Sequence, residues 1–583
     1  MKSKLRNLWV AAGGLVCVAC TTPSATYVEW VNKQKPAEAD QYSDFLVGRF
    51  ASLSNDPLLA AETFVRASAR EPQDPILLER AVFSLLLAGD GEQAIELARE
   101  ASERELEISS LTRLTLGIAE MRQSEYADAS LVLGQGDAGM FNRIVSRTIS
   151  AWSAFGEGQT ELAKSNLIES LVGDDVLDGV TLYMLGLLQM SAGEDEQALE
   201  TFEAVWSERM RLAVACEHYV RLLSNKGENE KALQIVQDFR EDVGANPAIE
   251  ALARQLAAGE TLSLRRMTPT EGAAIAVYAL ATALAVETED DIASVYFNLA
   301  LLLDPQLDIA RTMLGSTLDY ADRREEAIEI LGEVSKDSPF YATAQGQLAW
   351  AQLRQGNDAA AIQTALSGQE KTGDRDLAIQ LGDIYRATGD YENAFYWFND
   401  VITRDEAAGK ADWRTYYARA ITYHELGNWE AAEADLLKSV ELNPRQAQVL
   451  NYLGYSWVDR GENLEKGFEL IQDAVSLSPN SGYIVDSLGW AYYKLGQFEL
   501  AVLYLERAVE LAADDPTLND HLGDAYWQVG RELEARFQWK HALALEPEPE
   551  DAARIEAKIA NGLKSAPASI LAQDSRSNGV SVP

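Results

Sequence analysis

Apolar residues recur along most of the chain at spacings of three and four, which is the spacing of one face of an α-helix. The stretch SLGWAYYKLGQFELAVLYLERAVEL, starting at Ser487, shows two such runs on either side of Gly496. No stretch alternates apolar and polar residues between turn signals as a strand does. Proline, which interrupts helices, is scarce at 16 of 583 residues. The pattern predicts a long all-α protein.

The helical runs repeat with a regular step in the C-terminal part of the chain. Leu-Gly pairs begin at Leu453, Leu488 and Leu522, so the step is about 34 residues. The turn glycines that follow keep the same step and are Gly427, Gly461, Gly496 and Gly530. A small residue lets two helices approach closely, and a turn glycine permits a left-handed backbone between them. One hairpin of this kind cannot bury its apolar face alone, whereas stacked hairpins can.

The spacing W/Y-x2-L-G-x2-Y…A-x3-F…P within each step resembles the tetratricopeptide repeat (TPR). Weaker copies extend toward the N-terminus, where the stretch 48–72 begins the array. We count about 14 units, roughly six before residue 246 and eight after residue 274. The resemblance implies a right-handed α-solenoid of helix pairs. The register breaks between Asn246 and Glu271, which we interpret either as a joint between two superhelical halves or as two degenerate repeats.

These observations divide the chain into six segments. They are a signal peptide, a tether, an N-terminal array, a helical joint, a C-terminal array, and an end helix with a tail, at residues 1–19, 20–40, 41–246, 247–273, 274–549 and 550–583. The tail consists mainly of small and polar residues without a helical period, which predicts disorder.

The N-terminal sequence predicts that the protein is exported to the cell envelope. Lys2, Lys4 and Arg6 precede an apolar run at residues 8–19, which is too short to span a bilayer. A basic segment followed by a short apolar run is typical of a secretory signal peptide.

The run ends in CVAC, which resembles the lipobox of bacterial lipoproteins and implies a lipid on Cys20. The family prefers Leu where this chain has Cys17, so cleavage after Ala19 without lipidation is the alternative. In that family, a residue other than Asp after the cysteine implies sorting to the outer membrane, and here Thr21 follows. We therefore expect a lipid-anchored protein of the outer membrane that faces the periplasm. Cys216, the remaining cysteine, is expected in the core.

Charge and motifs narrow the classes of function. The formal net charge of −41 disfavours binding to nucleic acid, because a surface of that sign repels phosphates. Zinc-protease, phosphate-loop and GxSxG motifs do not occur in the sequence, and no CxxC occurs apart from CVAC at the end of the predicted signal peptide. We expect no enzyme, no cofactor and no metal, and a hydrolase hidden in the array is the remote alternative.

In the TPR family, positions 2, 5, 9 and 12 of the first helix of each unit line a concave groove. Transferred to the best units, these positions predict a protein-binding groove of Tyr417, His424, Asn451, Tyr455, Tyr483, Asp486, Trp490, Tyr493, Asp520, Asp524 and Trp527. Tyr and Trp are typical of binding hot spots, and the carboxylates are expected to hold Lys or Arg of a partner. The alternative for Trp490, Tyr493 and Trp527 is packing between adjacent units.

A lipidated N-terminus, a long array and the ending from Tyr452 onward are similar to one group of outer-membrane TPR lipoproteins. Members of that group are adaptors of a periplasmic carboxyl-terminal processing protease, to which they deliver substrates such as peptidoglycan hydrolases. The resemblance implies those partners here. The alternative is an assembly scaffold for export of polysaccharide, pili or outer-membrane proteins.

Overall fold

The computed structural model describes residues 37–135, 139–287 and 290–563, and these residues form 30 α-helices and no strand. The predicted signal peptide, Cys20, most of the tether and the tail lie outside the described residues. The all-α prediction is confirmed.

The chain divides into two compact units, Met1–Asn357 and Asp358–Pro583. The N-terminal unit contains eighteen of the described helices, numbered in chain order: α1 Ala37–Leu53, α2 Pro57–Arg70, α3 Pro75–Leu87, α4 Gly91–Glu103, α5 Ser110–Arg122, α6 Tyr126–Leu133, α7 Met140–Gly156, α8 Thr160–Ile168, α9 Asp175–Ala192, α10 Asp195–Ser207, α11 Ala213–Asn225, α12 Asn229–Asp242, α13 Pro247–Ala257, α14 Pro269–Glu287, α15 Asp290–Leu303, α16 Asp308–Tyr320, α17 Arg324–Gly332 and α18 Tyr341–Arg354.

The C-terminal unit contains the other twelve described helices: α19 Asp358–Thr372, α20 Arg375–Ala387, α21 Tyr391–Ala407, α22 Trp413–Glu425, α23 Trp429–Leu442, α24 Ala447–Arg460, α25 Leu464–Leu477, α26 Gly482–Lys494, α27 Phe498–Leu511, α28 Pro516–Gln528, α29 Glu532–Ala544 and α30 Pro549–Asn561. Twelve helices end by Asp242 and sixteen lie between Pro269 and Ala544, which is the number that fourteen helix pairs need. α13 and α30 are additional.

Turn glycines separate the two helices of a repeat, as the sequence predicts. Gly427, Gly461, Gly496 and Gly530 have φ values of 75°, 72°, 76° and 79°. This left-handed backbone is accessible to glycine without a clash at Cβ. We number each repeat so that the turn glycine is position 15 and the glycine of the Leu-Gly pair is position 8.

Position 8 is small because the second helix of the same repeat presses against it. In seven repeats the glycine lies against the side chain at position 24, and the pairs are Gly48–Phe64, Gly117–Leu133, Gly186–Phe202, Gly315–Leu331, Gly382–Phe398, Gly489–Leu505 and Gly523–Trp539. A Cβ at any of these glycines would lie within 3.0 Å of that side chain. The same contact therefore sets the packing of the helix pairs in both units.

Within the N-terminal unit the chain turns back after α13. The backbone N–H of Leu262 donates to Ser224 Oγ at the end of α11, and that of Met267 donates to Ser191 Oγ at the end of α9, each at 3.0 Å. The Thr270 hydroxyl then donates to the Met121 carbonyl of α5 at 3.4 Å. Residues 258–270 thus run backwards along the array. The predicted joint, 247–273, lies inside this unit, and the division between the units follows Asn357.

Candidate protein-binding groove

In three successive repeats of the N-terminal unit, the groove positions are largely apolar and buried. Positions 5, 9 and 12 of three successive repeats, on α5, α7 and α9, are Leu114, Ile118, Met121, Thr148, Trp152, Phe155, Tyr183, Leu187 and Met190. Eight of these nine side chains are no more than 1% exposed, and Phe155 is half-buried. These residues belong to one core cluster that also contains α14 and α15.

The returning helices α14 and α15 cover those positions. α14 packs against α7 and α9, and α15 packs against α3 and α5. A Cβ on Gly272 of α14 would lie 2.4 Å from the indole ring of Trp152, so only glycine fits without movement there. Asn298 of α15 also donates its amide N–H to the Leu86 carbonyl of α3 at 2.8 Å. This part of the array is therefore filled by the chain itself.

Most of the same positions in α22, α24 and α26 of the C-terminal unit hold polar or aromatic side chains, starting with Tyr417 and His424 on α22. Both side chains are half-buried, and both contact Tyr452 of α24. The rings of Tyr417 and Tyr452 meet edge to face at 5.9 Å, and His424 Nδ1 lies 2.7 Å from the Tyr452 hydroxyl. Burial raises the pKa of both tyrosine hydroxyls, so they stay protonated hydrogen-bonding groups.

Asn451 and Tyr455 follow one turn apart on α24, and both are half-buried. The side-chain oxygen of Asn451 is buried and accepts no hydrogen bond from any described residue. A buried acceptor without a donor costs free energy, so this oxygen is suited to receive an N–H group from outside the chain. Burial raises the pKa of Tyr455, whose hydroxyl lies near the carboxylates of Asp459 and Asp486.

α26 carries the largest aromatic surface of the predicted groove. Tyr483 is 61% exposed, whereas Trp490 is half-buried and stacks on Tyr493 with ring centres 4.7 Å apart and planes 4° apart. Trp490 also stacks on His521 of α28 at 4.0 Å and donates its indole N–H to Asp459 at 3.3 Å. Burial and the nearby Asp524 raise the pKa of Tyr493 to about 12.

The three predicted carboxylates are buried and already paired with cationic groups of this chain. Asp486 is 4% exposed and lies 2.9 Å from His521 Nδ1. Asp520 and Asp524 are 1% and 5% exposed, and Lys558 Nζ of α30 lies 2.8 Å from each of them. The predicted binding of a partner's Lys or Arg stays a prediction. A cation that bound Asp520 or Asp524 would first have to replace Lys558.

Trp527 lies beside the end of the chain's last described helix. Its ring centre is 5.5 Å from that of Trp539 and 5.2 Å from the Arg536 guanidinium. Gly562, directly after α30, approaches so closely that a Cβ there would lie 2.1 Å from the indole. Trp527 is therefore half-buried under the end helix.

Tyr452, His521 and the α30 cations take part in this groove but were not among the predicted residues. His521 occupies position 6, which the family rule for groove positions omits. Arg554 and Lys558 lie one repeat step after Asp520 and Asp524, so the repeat step alone would have aligned each cation with its carboxylate.

Two histidines at position 6 differ in what faces them. Each lies beside position 5 of the preceding repeat: His521 with Asp486, and His218 with the Tyr183 hydroxyl. Burial lowers the pKa of His218 below its ordinary value. Burial also acts on His521, but the Asp486 carboxylate, helped by Asp520 and Asp524, raises its pKa above the ordinary value. One repeat position thus holds a neutral histidine in one unit and a more basic one in the other.

Family models described as tetratricopeptide repeat match residues 181–209, 312–376, 375–445, 417–482 and 486–515. These segments are tetratricopeptide repeats. The matched segments include α9–α10 of the N-terminal unit and extend from α16 into α27. The predicted groove residues from Tyr417 to Tyr493 lie inside these segments or directly between them. The TPR assignment made from the repeat spacing is thereby confirmed.

Similar proteins share only parts of the chain. A "TPR repeat-containing protein PA4667" of Pseudomonas aeruginosa is 32% identical over 113 residues, which are 19% of this chain and 19% of that protein. The human "Mitochondrial import receptor subunit TOM70" is 24% identical over 224 residues, or 38% of this chain and 31% of that protein. Among solved structures, the APC/C hetero-tetramer Cut9–Hcn1 is 14% identical with a TM-score of 0.38, over 93% of this chain and 99% of that one. The chain thus spans less than a third of the curated relatives named here.

The described residues also bear on membrane insertion and on metal binding. No helix there combines the length and the apolar character that crossing a bilayer requires. Within residues 37–135, 139–287 and 290–563, no three His, Cys, Asp or Glu side chains are grouped so as to hold a metal ion.

Proposed function

We propose that the groove of the C-terminal unit, formed by α22, α24, α26 and α28, binds a segment of another protein. TPR proteins generally mediate protein–protein interaction, and the TPR assignment makes this the expected class of function. The observation that carries the proposal is the change of character at positions 5, 9 and 12. In α5, α7 and α9 of the N-terminal unit these positions are largely apolar and are covered. In α22, α24 and α26 of the C-terminal unit, seven of the nine positions are aromatic or polar, and six of those seven side chains are half-buried. The exceptions are the buried Asp486 and the aliphatic Ile421 and Val458.

The chemistry of these positions suits an extended or helical protein segment. Tyr483 and the Trp490–Tyr493 stack offer large contact areas on side chains that lose little entropy on binding. The Asn451 oxygen, which accepts no hydrogen bond from the described chain, would accept a backbone or side-chain N–H of that segment. These groups give both affinity and register.

We further propose that the protein is a non-catalytic adaptor in the bacterial envelope. A lipid on Cys20 would hold it on the outer membrane facing the periplasm, and the groove would bring a carboxyl-terminal processing protease to substrates such as peptidoglycan hydrolases. Support comes from the signal-peptide pattern and from the resemblance of the ending to that group of adaptors. Holding protease and substrate together raises their effective concentration without any catalytic contact.

The first experiment identifies the partner. The chain is purified from native membranes by affinity chromatography beside a Tyr483→Ala/Trp490→Ala variant, and bound proteins are identified by mass spectrometry. We expect a PDZ-bearing serine protease with the wild type and its loss with the variant. Export-channel subunits in its place would support the assembly scaffold, and equal capture by both proteins would refute the groove.

The second experiment tests the anchor. A Cys20→Ser variant should move from the membrane fraction to the soluble fraction of lysed cells, because only the lipid is proposed to hold the chain there. A Cys216→Ala variant, which changes a cysteine outside the lipobox, is the control and should stay with the membranes. A Cys20→Ser protein that remains fully membrane-bound would contradict the lipoprotein prediction.

A further inference from the structure

The end helix α30 occupies the place where the next repeat would put its groove-lining helix. Arg554 and Lys558 lie one repeat step after Asp520 and Asp524, which are positions 5 and 9 of the last repeat. Lys558 Nζ donates to both carboxylates at 2.8 Å, and the Arg554 guanidinium donates to Asp520 at 3.1 Å. A terminal helix that covers the last repeat is expected in a solenoid, because an uncovered end exposes apolar surface.

Ion pairs hold α30 together with a small apolar contact and a hydrogen bond from Arg536 to the Ile559 carbonyl. Of its 13 residues, Ile555 is the buried one, and Ile559 is partly buried. In contrast, α28 of the same length buries nine residues. The contact of α30 therefore depends on two cations that meet buried carboxylates and on a short aliphatic strip.

The connection before α30 also separates it from the array. Residues 545–548 join α29 to α30 outside any helix, with Pro547 in the segment and Glu546 at φ 54°. A left-handed backbone at a residue other than glycine costs about 1 kcal/mol, and proline lacks the N–H that would continue a helix. α30 can consequently leave the groove without breaking a helical turn of α29.

We propose that α30 is a resident occupant of the C-terminal end of the groove, and that the partner's segment displaces it with a helix of the same chemistry. That chemistry is two cations four residues apart, as at Arg554 and Lys558, with an aliphatic residue on the same face, as at Ile555. This inference rests on the proposed protein-binding function and adds to it the class of segment that binds.

Electrostatics restricts what can replace α30. Asp520 and Asp524 are buried and only four residues apart, and two such carboxylates are costly without a neighbouring cation. A neutral or acidic segment would leave them unpaired, whereas a basic helix exchanges one pair of cations for another. Departure of α30 would also uncover Trp527, which is a residue type typical of binding hot spots.

The test uses the full chain with a peptide cut from its own sequence. The probe is a fluorescein-labelled peptide of residues 549–563, and its binding is followed by fluorescence anisotropy. The variant Arg554→Glu/Lys558→Glu releases the resident helix. The matched control is Lys466→Glu/Lys540→Glu, which makes the same change of charge at exposed lysines of the same unit.

We expect the released variant to bind the peptide at least about tenfold more tightly than the wild type and the control, whose sites are filled by a tethered helix. A peptide carrying the two glutamates should not bind, and adding Asp520→Asn/Asp524→Asn to the released variant should abolish binding. Equal affinity of all three proteins for the peptide would overturn the proposal. So would a concentration-dependent dimer that exchanges α30, because the occupant would then be a second copy.

Hydrogen exchange of the wild-type chain tests the proposal even if the last repeat of the released variant no longer folds. Excess peptide should speed the hydrogen exchange of α30 amides in the wild type, while α24 amides stay unchanged. Unchanged protection of α30 at peptide concentrations that saturate binding would overturn the proposal. This outcome is separate from the Tyr483→Ala/Trp490→Ala capture experiment, so a groove that binds proteins without displacing α30 remains distinguishable.

Discussion

The two units place different chemistry on the same repeat positions. In α5, α7 and α9, positions 5, 9 and 12 hold side chains such as Leu114, Trp152 and Leu187, and the chain lays α14 and α15 over them. In α22, α24 and α26 the same positions hold side chains such as Tyr417 and Trp490, which are half-buried. One helix pair, repeated, therefore contributes to a core in one unit and to the half-buried aromatic and polar surface of the proposed groove in the other.

The difference teaches that the side chains at three positions decide whether a TPR groove is filled or available. Burial of apolar area stabilises by about 25 cal/mol per Å², so a groove lined by Leu, Ile, Met and Trp favours cover by apolar helices. A groove lined by Tyr, Asn, His and Asp gains less from such cover and keeps polar groups that need partners. The helix framework is the same in both, as the contact of Gly117 with Leu133 and of Gly489 with Leu505 shows.

The largest effect is expected from removing the ring at position 9. Trp152→Ala should lower the free energy of unfolding of the N-terminal unit by about 3–5 kcal/mol, because the indole is fully buried between Phe155 and Gly272. The matched Trp490→Ala should cost only about 1 kcal/mol, which is the worth of an aromatic contact on a half-exposed surface. Urea unfolding of both variants checks this, and equal losses would erase the distinction between the units.

A smaller loss should follow from adding one methyl group to the covering helix. Gly272→Ala places a Cβ 2.4 Å from the Trp152 ring, and the resulting overpacking should cost about 1–3 kcal/mol. The control is Gly332→Ala at the end of α17, in the same unit, where a Cβ would meet nothing within 4 Å. Calorimetry should show a lower melting temperature for Gly272→Ala and no loss for the control. An unchanged Gly272→Ala would mean that α14 is not pressed onto Trp152.

The smallest effects concern pH and have opposite signs in the two units. The raised pKa of His521 means that its stabilising pairing with Asp486 is complete below about pH 6.5, the unfolded value, and fades as pH rises through the folded pKa. His521→Gln should therefore lower the melting temperature more at pH 5.5 than at pH 8. The charged groups that face or neighbour His521 are Asp459 on α24, Asp486 on α26, Asp520 and Asp524 on α28, and Lys558 on α30.

His218 supplies the matched control for that pH dependence. Its pKa is lowered by burial, so the folded chain resists its protonation and loses stability as pH falls below about 6.5. Replacement by Gln should thus cost less at pH 5.5 than at pH 8, which is the reverse of His521→Gln. The same sign for both variants would contradict the roles given to the Asp486 carboxylate at His521 and to burial at His218.

The sequence alone predicts the helix pairs well, because the contacts that define each pair join residues of the same repeat. Position 8 must be small against the side chain at position 24, and position 15 must accept a positive φ, so the glycines mark the helix pairs directly. The return of the chain after α13 was not predicted, since the contact of Gly272 with Trp152 joins residues that are several repeats apart in the sequence. The signal for it was nevertheless present, as apolar residues at groove positions of α5, α7 and α9.

The candidate groove stays a prediction, and the ion pairs of its acidic residues were not predicted from the sequence. The family rule selects Asp486, Asp520 and Asp524 as positions and says nothing of what neutralises them. His521 and Lys558 lie on the following repeat and on α30, so their pairing depends on how successive helices stack.

Thiol accessibility at position 9 tests whether the groove is filled in the N-terminal unit and open in the C-terminal unit. Leu187→Cys and Trp490→Cys, both at position 9, are introduced into a chain with Cys17→Ser and Cys20→Ser, and the rate of reaction with a maleimide is measured under native conditions. Buried Cys216 remains as an internal standard for an unreactive thiol. We expect Trp490→Cys to react at least about a hundredfold faster than Leu187→Cys, whose reaction needs local opening of the core. Equal rates at the two positions would contradict this expectation.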